Sequence, residues 1–250
     1  MKLHGKVAII TGASSGIGRS AARLFAQEGA AVVLGARTAG PLETICQSIQ
    51  AAGGQAICLA GDIRDDIYAE ALVTKAVETF GGLDIGFNNA ATLGQGGLVC
   101  EMAPDDWRLV LSTNLDSAFH AARHQIPAIR ARGGGSLIFT SSFVGHTIGL
   151  PGMGAYAASK AGLIGLTQVL AVEHGTDNIR VNALLPGGTR TGMLSDEPGV
   201  EDYVASLHAL KRVAEPEEIA RAALFLASAD SSFVTGSAML VDGGNSITKN

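Results

Sequence analysis

The sequence predicts an α/β fold of the doubly wound, Rossmann-like kind: seven parallel strands in one sheet, with helices on both faces. Three observations predict it. Short apolar runs alternate with longer helix-period stretches almost from end to end. The short runs are continuously apolar, as strands buried on both faces read. A glycine-rich turn joins the first run to the first helical stretch, where this kind of fold offers a helix N-terminus to a ligand.

In chain order, the strands fall at Val7–Thr11, Ala31–Ala36, 56–60, 83–87, 136–140, 180–185 and Ala238–Val241. Helical patterns lie between them at 18–29, 42–52 and Asp66–Phe80, and around 106–131 and 156–175. Regular β-α alternation gives a parallel sheet covered on both sides. Glycine-rich stretches at 94–97, 133–135 and 149–154 read as loops. The segment 189–199 breaks the pattern after the sixth strand and is placed to form a lid. No Pro-rich or Ser-rich linker divides the chain, so residues 1–250 are expected to form a single domain that holds both the dinucleotide and the catalytic groups.

Composition agrees with a compact fold, at 47% hydrophobic and 16% charged residues over 250 positions. A net charge of -5 argues against a nucleic-acid partner, which needs a basic surface. Cys46, Cys58 and Cys100 show no metal spacing and suit reduced thiols in the cytoplasm. The start carries no leader pattern. The apolar stretch 161–172 is shorter than a membrane span and contains Gln168. A cytoplasmic protein with no membrane partner is expected.

The turn after the first strand reads Thr11-Gly12-Ala13-Ser14-Ser15-Gly16-Ile17-Gly18. Glycines let the chain turn sharply and let a pyrophosphate approach main-chain N–H groups, with the helix dipole behind them. At the end of the second strand, an acid would accept from the ribose 2′-OH of NAD. The chain instead has Ala36-Arg37-Thr38, and a guanidinium matches a 2′-phosphate by charge and fork geometry. NADP(H) is therefore expected ahead of NAD(H).

Tyr156 and Lys160 are spaced i and i+4, on one face of a helix. A phenol with a pKa near 10 is a poor proton donor at neutral pH, and a neighbouring ammonium should draw that value down. Ser141 and Ser142 close the fifth strand upstream, where a hydroxyl can polarise a substrate oxygen.

Taken together, the turn Thr11 to Gly18, Asn88-Asn89-Ala90-Ala91, Asn114, Ser142, the Tyr156/Lys160 pair, Pro186-Gly187 and Val241-Asp242-Gly243-Gly244 resemble the short-chain dehydrogenase/reductase family in order and spacing. The resemblance covers essentially the whole chain and is closest in kind to the 3-oxoacyl-carrier-protein reductases. It implies hydride transfer between a nicotinamide and a small-molecule carbonyl or secondary alcohol. It also implies a tetrad, with Tyr156 as acid/base, Lys160 tuning it and holding the nicotinamide ribose, Ser142 holding the carbonyl, and Asn114 placing a water. The same resemblance puts Asp62 and Ile63 at the adenine, Asn89 and Ala90 along the cofactor, and Pro186, Gly187 and Thr189 near the carboxamide. It further implies a homotetramer built on the long helices.

Two departures from the family pattern stand out. Ala91 replaces a usual glycine, which is tolerable at negative φ. The Ser-to-Tyr interval is fourteen, one longer than usual, which places an extra residue in the loop 145–149 with His146. Asp116, His120 and His124 form one helical stripe without a third ligand at metal spacing, and no metal is expected. A non-catalytic NADP(H)-binding sensor or scaffold is the alternative. The complete tetrad argues for the enzyme, because a pure binder has no use for it.

Overall fold

The computed structural model describes residues 1–248. The strands are β1 (Val7–Thr11), β2 (Ala31–Ala36), β3 (Gln55–Ala60), β4 (Ile85–Asn88), β5 (Gly135–Thr140), β6 (Ile179–Pro186) and β7 (Ala238–Val241). They form one fully parallel sheet in the order β3-β2-β1-β4-β5-β6-β7. The chain winds outward from β1 to β3, then returns to start β4 on the other side of β1. That reversal opens a crevice at the carboxyl ends of β1 and β4. Thr11 closes β1 there, and its Oγ1 accepts from the N–H groups of Asn89 (3.0 Å) and Ala90 (3.1 Å), which pins the two strand ends together.

The helices are α1 (Gly16–Gln27), α2 (Ala39–Ala51), α3 (Asp66–Phe80), α4 (Pro104–Leu111), α5 (Ser117–Ala131), α6 (Gly154–His174), α7 (Val200–Ser206) and α8 (Pro216–Ala227). Side chains alternate across the sheet, as the pleat demands. Ile10 and Leu34 pack with Phe25, Leu42 and Ile219 on one face. Ile9 and Val33 pack with Leu72, Ile126 and Leu163 on the other. Both faces are therefore dry, which is why the central strands carry no polar alternation.

Boundaries differ from the sequence reading where a side chain or a glycine intervenes. α1 stops at Gln27 rather than 29, because Gly29 takes φ +92 and turns the chain. β4 starts at Ile85 rather than 83, since Asp84 is used as an anchor. Its buried carboxylate accepts from the Val7 N–H (2.9 Å) and pairs with Lys6 (3.1 Å) and Arg132 (3.2 Å). The helical stretch 106–131 is two helices, α4 and α5, separated by a π-helical turn over Ser112–Asp116. α6 corrects the reading of 161–172 as too short to span a membrane. With its last turn it runs Gly154–Asp177 and is long and apolar enough by length and composition. Its face bearing Ser159, Leu163, Thr167 and Leu170 is buried, and Leu163 and Leu170 pack into the sheet core.

Candidate active site

A cleft of about 570 Å³ runs over the carboxyl ends of the strands, from Arg37 at one end to Leu207 at the other. Its floor at the β1 end is the glycine turn. Gly12 and Gly16 hold φ of +68 and +51, which L side chains rarely adopt. Gly18 has a different task. A Cβ there would sit 2.2 Å from the Gly12 carbonyl oxygen, so Gly18 packs the helix onto the turn instead of lining the cleft. Ser15 caps α1 without a side-chain bond, so the first-turn N–H groups stay free for a ligand. A narrow, glycine-floored groove with main-chain donors at a helix N-terminus fits a diphosphate. Ser14, Ser15, Gly16 and Ile17 line it, as do Asn89 and Ala90 opposite.

The far end of this groove is open and charged. Arg37 is exposed, lines the cleft, and makes no hydrogen bond or ion pair among the described residues. Thr38, expected beside it, lies outside the lining as the N-cap of α2. Asp62 and Ile63 line the cleft, but the Asp62 carboxylate is already engaged. It accepts from the main chain (2.9 Å) and guanidinium Nε (2.9 Å) of Arg64. That hydrogen-bonded guanidinium holds the Asp62 carboxyl below its ordinary range. Arg64 was missed in the sequence because nothing in Asp62-Ile63-Arg64 shows that the third residue folds back onto the first.

At the other end, β5 and α6 bring Ser142, Tyr156 and Lys160 together. The two adjacent serines have separate jobs. Ser141 Oγ donates to the Lys160 carbonyl (2.7 Å) and ties α6 to β5, whereas Ser142 Oγ accepts from Val144 N (3.1 Å). Lys160 is 2% exposed; its Nζ donates to the Thr140 carbonyl (2.6 Å) and lies 5.6 Å from the Tyr156 ring centre. Burial in this pocket pushes the ammonium down to about 7. Burial also pushes the Tyr156 phenol up, with the Ser142 hydroxyl opposing. The expectation that Lys160 draws the phenol down is not met: burial of the phenol dominates, and the ammonium is turned to the Thr140 carbonyl.

Asn114 sits on the π-helical turn, 3% exposed. Its Oδ1 accepts from Thr92 N (2.8 Å), and its Nδ2 donates to the Thr92 carbonyl (2.9 Å) and Ser159 Oγ (3.0 Å). Beneath the cleft, Asn114, Lys160, Thr140 and Asn88 border a cavity of about 20 Å³. A polar cavity of that size has room for one water.

The β6 end supplies Pro186, Gly187 and Thr189 to the cleft. Their loop is held by His208, 2% exposed, which the sequence reading did not single out. Its Nε2 accepts from the Gly188 N–H (3.0 Å), so Nδ1 carries the proton and donates to the Val204 carbonyl (2.7 Å). A Cβ on Gly187 would meet the Asp242 Cα at 2.7 Å and His208 Nε2 at 2.9 Å, which explains the glycine.

The outer wall is apolar, with Phe143, Val144, Leu150, Met153, Met193 and Leu194. The longer loop closes as a tight turn, Gly145 N to the Ile148 carbonyl (2.9 Å), against α6. His146 is exposed and outside the lining. Ala91 is not among the positive-φ residues, so its methyl brings no backbone strain. His124 bonds Asp66 on α3 (2.9 Å), and no three His, Cys, Asp or Glu side chains among the described residues are grouped to hold a metal.

Comparison with known proteins places the chain among oxidoreductases. A family model described as enoyl-(acyl carrier protein) reductase matches residues 12–246. The chain is 39% identical to cyclohexanol dehydrogenase of Acinetobacter sp. strain SE19 over 97% of its own length and 95% of that protein. It is 38% identical to a 3-oxoacyl-[acyl-carrier-protein] reductase of Thermotoga maritima, over 98% of this chain and 99% of the relative. Among solved structures, a short chain dehydrogenase from Burkholderia cenocepacia in complex with NADP superposes with a TM-score of 0.92. It is 31% identical, covering 98% of this chain and 99% of that one.

Proposed function

The chain belongs to the short-chain dehydrogenase/reductase family of nicotinamide-dependent oxidoreductases, and from that premise we propose that it interconverts a ketone and a secondary alcohol with NADP(H) as preferred cofactor. The observation that carries this reading is the convergence of Ser142, Tyr156 and Lys160 at the buried end of a cleft whose other end is a glycine-floored diphosphate groove. In this reading one domain, residues 1–250, holds both sites.

When bound, the nicotinamide supplies or accepts the hydride. Tyr156 gives the substrate oxygen its proton during reduction and takes it back during oxidation. Ser142 holds that oxygen against Tyr156 by hydrogen bonding. Lys160 keeps two donors beyond its bond to Thr140, and directs them to the nicotinamide ribose and the phenolate. A cation held there stabilises the phenolate. Asn114 braces Thr92 and Ser159 and borders the cavity in which a water links Lys160 to the relay. Gly12, Ser14, Ser15, Gly16 and Ile17 cradle the diphosphate, with Gly18 packing beneath them. Asp62 and Ile63 flank the adenine, and Pro186, Gly187 and Thr189 flank the carboxamide. Arg37, standing free at the adenosine end, selects the 2′-phosphate, and Thr38 beside it adds a weaker contact.

The protein works in the cytoplasm as a homotetramer, with exposed Phe119 on α5 and Val169 and Val172 on α6 at contacts between copies. A light-scattering mass of one chain at micromolar concentration would contradict that assembly. The decisive experiment for the reaction is NADPH oxidation followed on a panel of ketones, with Tyr156→Phe as control. Turnover lost in the variant carries the reading. NADPH binding without turnover on a broad panel leaves a dinucleotide-binding sensor instead.

A further inference from the structure

Charge is distributed unevenly along the cleft. Of the residues lining it, only Arg37, Asp62, Arg64 and Lys160 carry charge. The first three stand at the adenosine end, and the Lys160 ammonium is turned to the Thr140 carbonyl behind Tyr156. The wall beyond the catalytic groups is Phe143, Val144, Leu150, Met153, Met193 and Leu194, with no side chain to neutralise an anion. Burying an unpaired charge against such a wall is unfavourable, while an apolar body gains from leaving water.

The rim repeats the pattern with the opposite sign from an anion's needs. The segment that supplies Met193 and Leu194 continues through Asp196, Glu197, Glu201 and Asp202. Its one cation, Arg190, is already paired with Glu201 (2.8 Å) and Glu215 (3.0 Å). Beyond it, Arg212 is held by Glu218 (2.6 Å). Lys211 beside it is exposed and gives its Nζ to the Ser206 carbonyl. The segment 189–202, with four carboxylates against one paired cation, carries net negative charge towards an acidic carrier.

We propose that the substrate is a free, uncharged ketone or secondary alcohol with an apolar body, and is neither an anion nor an acyl group on an anionic carrier. This rests on the oxidoreductase reading above. In the reducing direction a hydride from the reduced nicotinamide forms the new C–H bond as the carbonyl π bond breaks. The Tyr156 proton forms the O–H bond, the nicotinamide is left oxidised, and the phenolate recovers its proton from solvent.

A matched set tests the inference: cyclohexanone, 4-oxocyclohexanecarboxylate and its methyl ester, with an acetoacetyl thioester supplied free and on acyl-carrier protein. The methyl ester should exceed the carboxylate in kcat/KM by roughly 100-fold. Cyclohexanone should exceed the carrier-bound thioester. Calorimetric titration of the NADPH-loaded protein with the corresponding alcohols, a pair that has no hydride to exchange, reads the same preference without turnover. Leu150→Lys, at a half-buried loop position, should raise the carboxylate-to-ester ratio by roughly 10-fold or more. A carboxylate within about threefold of its ester in both kcat/KM and binding overturns the inference. So does a carrier-bound substrate that outperforms cyclohexanone. If the alcohols bind with the expected preference and no ketone is reduced, the neutral site stands and the hydride-transfer reading falls.

Discussion

The two ends of the cleft solve opposite problems. At the adenosine end the cation, Arg37, stands in water, and the diphosphate groove beside it is made of main-chain N–H groups on a glycine turn. At the catalytic end the cation, Lys160, is covered, and its neighbour Tyr156 is nearly so. An exposed charge interacts weakly and selectively with whatever arrives, because solvent screens it. A covered charge is expensive, so its proton equilibrium shifts until a partner restores it. In the proposed function one end therefore serves recognition and the other proton transfer.

That contrast predicts a graded set of losses. Tyr156→Phe should lower kcat by roughly 10²–10⁴ while leaving the cofactor dissociation constant nearly unchanged. Lys160→Ala should weaken both, and steady-state kinetics with fluorescence titration of NADPH separates them. A Tyr156→Phe enzyme with near-normal kcat at saturating substrate would remove the catalytic end from the comparison.

At the open end, Arg37→Ala should reduce the NADPH-to-NADH ratio of kcat/KM by roughly 10- to 150-fold, the range of one charge-assisted hydrogen bond. Ala36→Asp combined with Arg37→Ala should invert the preference by offering a ribose acceptor and repelling the phosphate. An unchanged ratio in Arg37→Ala shifts the role to Arg64, which shares that end of the cleft but is bonded to Asp62.

His208→Ala leaves the Gly188 N–H and the Val204 carbonyl without their buried partner. Denaturant unfolding should show a loss of about 1–3 kcal/mol. KM should rise more than kcat falls, because the Pro186–Thr189 loop is loosened while Tyr156 is untouched.

A further effect is a pH dependence of stability. Lys160 falls from its ordinary 10.5 to about 7 on folding, so between those values the unfolded chain binds the extra proton. Cofactor-free protein should thus become more stable as pH rises from about 7 towards 9. The slope is at most about 1.4 kcal/mol per pH unit. Lys160→Met should flatten it. A wild-type slope equal to that of the variant would show that the ammonium keeps its proton in the fold.

Much of this was legible from local pattern. β1 and β2 have the bounds their apolar runs suggest, since a strand buried on both faces has to be apolar throughout, and β7 keeps its bounds as a half-exposed edge strand. Tyr156 and Lys160 share a helix face because four residues make about one helical turn. Arg64 and His208 were not legible. One acts through a turn two residues long, the other across twenty residues of loop and helix, and neither spacing has a periodic signature. The anchoring role of Asp84 was hidden for the same reason, inside a run that reads as strand.

The sequence by itself determined the alternation of strands and helices, the glycine turn, the i and i+4 catalytic pair and the guanidinium after β2. Each of these depends on residues close together in the chain, where periodicity and backbone sterics act. Only the tertiary structure decided how far each group is from water. It buried Lys160 and Tyr156 enough to move their proton equilibria, engaged Asp62 with Arg64, and gathered leucines and methionines from two loops into one uncharged wall. Solvation depends on every element that packs over a side chain, and that sum is set only when distant parts of the chain close on one another.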